Sequence, residues 1–137
     1  MLSPGYHELG AFSITTAGTF TGDWVEDLDG LLALAVQFRF VFGSGGTSVK
    51  AYLQTSLDDG DTAVDIACVA FGNAASETGA INLSALTPKT TQVTPSDGAL
   101  ADDTAVDGLI GDRFRVKIVV VGTYAGSTTL NVTAIAR

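Results

Sequence analysis

Residues able to do chemistry are scarce in this chain. Among 137 residues there is one histidine, His7, and one cysteine, Cys68, so a general base or a nucleophile would need partners brought from far along the sequence. His7 lies in the opening segment MLSPGYHELG, where nothing nearby in sequence supplies a positioned second group in a concave site, and no Gly-x-Ser-x-Gly elbow occurs. Cys68 cannot close an internal disulfide, and in the run VDIACVAF a small buried apolar residue would serve as well. The best cation candidate is the acidic turn Asp58-Asp59-Gly60-Asp61 with Asp65 after it: Asp58, Asp61 and Asp65 could offer hard oxygen ligands to Ca²⁺. The segment lacks the loop spacing and terminal Glu of an EF-hand, and Asp-Gly is ordinary turn chemistry, so a solvated hairpin turn is the expectation. Asp27-Leu28-Asp29-Gly30 and Ala101-Asp102-Asp103-Thr104 read the same way. Gly43-Ser44-Gly45-Gly46 falls between two strands and carries no P-loop lysine, so it is not expected to cradle phosphate. No cofactor is implied, and the chain reads as non-enzymatic.

Composition points to assembly. The chain is 46% hydrophobic and 16% charged, against about 25% charged in an average soluble domain. A surface so poor in charge is expected to be partly covered by a partner or a second copy. Seven basic and fifteen acidic residues leave a net charge of -8, which argues against binding nucleic acid through its phosphates. The opening residues show neither a basic nor an apolar signal region, so synthesis is expected to end in the cytoplasm. The longest apolar-rich run, Leu31 to Phe42, contains Gln37 and Arg39 and is too short for a span of roughly 20 residues; no membrane partner is expected.

The elements that must position these residues are strands. Ala11 to Thr16 and Thr19 to Glu26 are rich in β-branched and aromatic residues. From Leu31 to Phe42, Leu32, Leu34, Val36, Phe38, Phe40 and Phe42 alternate with Leu31, Ala33, Ala35, Gln37, Arg39 and Val41, a period of two. The second face is small and half polar, which suggests a strand covered by the core on one side and by a partner on the other. Thr47 to Ser56 and Val64 to Phe71 form a hairpin around the acidic turn, and Ala80 to Ser84 is a shorter strand. Thr87 to Gly111 shows little periodicity and reads as a long surface loop. Arg113 to Val121 and the closing Thr128 to Ala136 alternate again. About eight strands result, in a single-domain antiparallel β-sandwich of jelly-roll type spanning 11–137, preceded by an N-terminal arm, 1–10.

Surface candidates follow from that frame. Arg113, Arg115 and Lys117 share the outward face of their strand and could meet acidic loops of another copy or an acidic scaffold. Trp24, Phe12, Phe20, Tyr52 and Tyr124 could form an aromatic platform for sugar, with Trp24 and the tyrosines carrying the polar handles suited to a surface. Tyr6 and His7 in the arm complete the set of interface candidates.

The run Tyr52-Leu53-Gln54-Thr55-Ser56-Leu57-Asp58-Asp59-Gly60, followed by Val64-Asp65-Ile66-Ala67, resembles a strand-turn-strand segment of small virion proteins of tailed bacteriophages. Arg113 to Val121, then Gly122 to Ser127 and Thr128 to Ala136, is similar to the closing segment of those proteins. Together these stretches cover roughly half of the chain. The resemblance implies a head decoration or cement protein that binds the major capsid protein and itself, as dimer or trimer, on the outside of the head, with the arm and the loop Thr87 to Gly111 making contacts. A tail or baseplate module binding host glycan is the alternative, and a small metal-assisted enzyme built on Asp58, Asp61 and Asp65 is a third. The long acidic loop departs from the family pattern.

Overall fold

The computed structural model describes residues 4–137. Eleven strands run β1 Gly5–Ser13, β2 Gly18–Thr21, β3 Ala33–Val41, β4 Ser44–Gly45, β5 Ser48–Thr55, β6 Val64–Phe71, β7 Glu77–Ser84, β8 Thr104–Ala105, β9 Phe114–Val121, β10 Tyr124–Ala125 and β11 Thr129–Ala136. Eight are four residues or longer, and every pairing is antiparallel. One sheet has the order β1-β11-β3-β7 and the other β2-β9-β5-β6-β8, with a small β10-β4 pair between turns. Counting only the eight longer strands, the sheets read 1-8-3-6 and 2-7-4-5, the interleaved order of a jelly roll. The protein is an all-β sandwich.

Alternation places the core between the sheets. Leu34, Val36, Phe38 and Phe40 of β3 and Leu130, Val132 and Ala134 of β11 face Val49, Ala51 and Leu53 of β5 and Phe114, Val116, Ile118 and Val120 of β9, all buried. At one end Phe40 stacks on Phe71 with centroids 4.9 Å apart, and Tyr124 meets Phe40 edge-on. The Tyr124 ring lies so close to Gly46 that a Cβ there would collide with it, and Gly46 also has a φ of 72°. This turn therefore requires glycine.

Three features depart from the sequence-based expectation. The segment 5–10, expected as a free arm, is the first part of β1 and pairs with β11 from Gly5↔Ala136 onward; Met1 to Ser3 lie outside the described residues. One apolar side chain, Leu9, sits at a register shift between Glu8 and Gly10, which breaks the alternation that would have marked a strand. The second predicted strand shortens to β2, with only an isolated bridge, Val25↔Phe114, beyond it.

The third departure matters most. Strand β5 was expected to be half-buried, yet every residue from Ala51 to Ser56 is buried. The cover on its outer side is the chain's own loop between β7 and β9, which crosses the five-stranded sheet and contributes β8 against Ala67 and Cys68 of β6.

Candidate functional site

The outer face of the five-stranded sheet carries the densest polar cluster among the described residues, and its position is set by a β-bulge. The β5–β6 register runs Tyr52↔Cys68 and Leu53↔Ala67, then jumps to Gln54↔Asp65. The extra residue, Ile66, stays in the core, and the shift turns Asp65 outward beside Gln54. Arg115 of β9 lies opposite Gln54, so Arg115, Gln54 and Asp65 form one row across three strands.

Asp65 is 2% exposed, and five donor groups converge on its carboxylate. The Gln54 amide nitrogen donates at 2.8 Å, the Ser96 hydroxyl at 2.9 Å, and the backbone N–H groups of Gly98, Ala99 and Leu100 at 2.8, 2.9 and 3.2 Å. Its own N–H donates to the Ser96 carbonyl at 2.9 Å. Burying a charge is costly unless hydrogen bonds replace its water. Here the replacement comes from the loop, so the loop closes over the sheet because Asp65 needs its donors.

Other carboxylates fasten the same loop. Asp97 accepts from Gln54 at 2.7 Å and from Lys117 at 3.0 Å, and these bonds hold its carboxyl below the usual range. Asp102 pairs with Lys50 at 3.0 Å, Asp103 accepts from the Ala70 N–H at 3.1 Å, and Asp107 accepts from the Ser84 N–H and the Thr87 hydroxyl. Cys68 lies beneath this cover at 1% exposure, and burial pushes its thiol up to about 11. A thiol so poorly ionised is a weak nucleophile near neutral pH.

The predicted site residues are thereby separated. Asp58 accepts from the Ser56 hydroxyl and the Thr62 N–H, Asp61 is an exposed turn residue, and Asp65 faces the loop, so these three do not converge. No cluster of metal-ligating side chains is found among the described residues. The turn at Asp59 and Gly60, both with positive φ, is the expected hairpin turn. Arg113 is nearly buried and contacts Glu26, Asp59 and Asp112 at 3.0, 2.6 and 3.1 Å, Arg115 donates to Gln54, and Lys117 holds Asp97. Their charges are thus committed within the chain rather than offered to a partner. Trp24 is half-buried with the Arg115 guanidinium 4.4 Å from its ring centre, which covers one face of the expected platform. Tyr52 and Tyr124 are buried. His7 is half-buried in β1, and Tyr6 is 66% exposed.

The uncovered sheet is the four-stranded one. Its outer side bears two adjoining grooves of ≈ 360 Å³ each, both lined by Tyr6, Gln37 and Thr133. At the start of β3 the exposed side chains of Leu32 and Leu86 project where the Ala85 N–H donates to the Leu32 carbonyl at 2.8 Å. Sequence reasoning placed Leu32 on the inward face and overlooked Leu86. No family model matches the chain, and no curated protein is similar to it.

Two outcomes follow. Asp65→Ala strands the N–H groups of Gly98, Ala99 and Leu100 and should cost about 3 kcal/mol in urea unfolding, because a buried charged network loses its centre. Asp61→Ala, at an exposed turn, should cost under about 0.5 kcal/mol; equal effects would contradict the strap. The second outcome concerns acid. A carboxyl whose folded pKa lies below its unfolded value near 3.9 contributes stability that is complete above that value and is lost as pH falls through the folded one. Asp97 is half-exposed, so its share should be no more than about 1 kcal/mol. Melting temperature should stay level from pH 7 to 5 and drop below pH 4, and Asp97→Asn should melt lower at pH 7 with a shallower acid decline.

Proposed function

We propose that this chain is a non-enzymatic structural protein of a tailed-bacteriophage virion, a decoration or cement protein that sits on the head exterior and stabilises joints between major capsid protein subunits. The family resemblance supports this reading, since its two quoted stretches fall on the β5–β6 hairpin and on β9 to β11, the frame of the jelly roll. The polar groups most suited to chemistry, Asp65, Gln54, Arg113 and Arg115, spend their bonding capacity on holding the chain's own loop and turns.

The observation that carries a docking role is the apolar end of the sandwich. Leu32 is 56% exposed and Leu86 72% exposed, on segments joined by the hydrogen bond from the Ala85 N–H to the Leu32 carbonyl. Exposing two leucines on rigid backbone costs solubility unless a partner covers them. A capsid surface would cover them and gain buried apolar area at a joint, with no chemical step. The glycan-binding alternative depends on an open Trp24, which Arg115 partly covers.

Mass spectrometry of purified heads and tails from the parent phage checks this reading. Copies numbering in the hundreds in the head fraction are expected, as for a subunit repeated at symmetry-related joints; a few copies confined to tails would overturn it. Rebinding to heads stripped of the protein should be lost in the Leu32→Asp, Leu86→Asp double variant while its melting temperature stays close to wild type, since both side chains are exposed.

A further inference from the structure

The outer face of the β1-β11-β3-β7 sheet has a charge pattern that fits a second copy of itself. Register places Tyr6, Ile135, Ala35 and Asn82 in one outward row, Glu8, Thr133, Gln37 and Ala80 in the next, and Ala11, Asn131, Arg39 and Thr78 in the third. Across these rows the only ionisable charges are Glu8 and Arg39. Both are exposed, and neither makes an ion pair among the described residues. In contrast Lys50, Arg113, Arg115 and Lys117 all have carboxylate partners. The rest of the chain is strongly acidic, with a net charge of -8, so this neutral face is where two copies repel least.

We propose that this face forms a two-fold dimer interface in which Glu8 of each copy pairs with Arg39 of the other. On an ideal sheet lattice the two residues lie two strand spacings and one row apart, about 12 Å. A two-fold axis in the plane of the interface, passing between Thr133 and Asn131, exchanges their positions, so both ion pairs form at once. An isologous contact requires this self-complementarity. The same operation carries Tyr6 of each copy over Thr78 and Ala80 of the other, setting the largest exposed side chain of the face against small ones beside the grooves. Three strand spacings by eight residues gives about 400 Å² per face and about 800 Å² for the two together, the size of a weak, transient contact rather than a permanent one. The dimer is therefore a modest one, with much of its specificity in the charge pairs. Dimerisation does not depend on the virion reading, although a dimer would present two Leu32–Leu86 ends.

Sedimentation of the full chain over a concentration series tests it. Wild type is expected at twice the 14.0 kDa chain mass at concentrations of about 100 μM, with dissociation rising with salt. Arg39→Glu, which sets Glu8 against a second carboxylate, should weaken the dimer at least about 10-fold. The exchange variant Glu8→Arg, Arg39→Glu should restore it, a rescue that general surface stickiness would not give. A monomer at all these concentrations, a trimer, an Arg39→Glu protein that dimerises as well as wild type, or an exchange variant that stays monomeric would each overturn the proposal. A monomer in solution whose Glu8 and Arg39 become protected on heads would assign the face to the capsid instead and would leave the virion reading standing.

Discussion

The conformation of this protein turns on one buried carboxylate. Asp65 occupies the middle of a sheet face, at 2% exposure, and its charge is tolerable there because Gly98, Ala99, Leu100, Ser96 and Gln54 all donate to it. The bulge at Ile66 turns the carboxylate outward, away from the apolar core, and the outward position obliges the loop to come down. Strand β8 follows from that closure, as does the burial of Tyr52, Gln54 and Cys68, which would otherwise form a wet face. The acidic residues of the loop then act as separate pins on Lys117, Lys50 and the backbone of Ala70 and Ser84.

This closure divides the molecule by role. One sheet is finished within the chain, with its cations matched to the chain's own carboxylates. The other presents an even, nearly neutral face and an apolar end. Several features expected to serve partners, the basic ladder and the long loop above all, are engaged inside the fold, and the surfaces left open are ones whose residues looked unremarkable in the sequence.

Much of the fold was legible. The period-two runs of β3, β5, β9 and β11 have strong alternation over eight or nine residues, and their bounds fall within a few residues of those expected. Local signals were weaker elsewhere. Strand β1 was expected only from Ala11; its first part carries a bulge and a single buried apolar side chain, and its partner β11 lies at the far end of the sequence, so nothing nearby announced residues 5–10. Arg113, Arg115 and Lys117 do point away from the core, yet alternation alone cannot tell a solvated face from one covered by a distant loop. One signal for the cover was present: Asp65 interrupts the apolar run VDIACVAF opposite Gln54, and a carboxylate embedded in such a strand needs donors from somewhere. The small residues Ala33 and Ala35 and the polar Gln37 and Arg39 of β3 suggested a face covered by a partner; within the chain that face carries no cover, whereas Leu86 stood in a loop with no pattern around it.

On this reading the loop is held as firmly as the sheet it covers. Hydrogen exchange of the wild-type chain, resolved by residue, tests it most directly. The amides of Gly98, Ala99 and Leu100, which lie outside regular secondary structure, should exchange as slowly as those of β5 and β6 and open with them in a single cooperative unit. Exchange of these three amides at the rate of the exposed turn 72–75 would contradict it, because a loop that opens freely could not be what keeps Asp65 out of water.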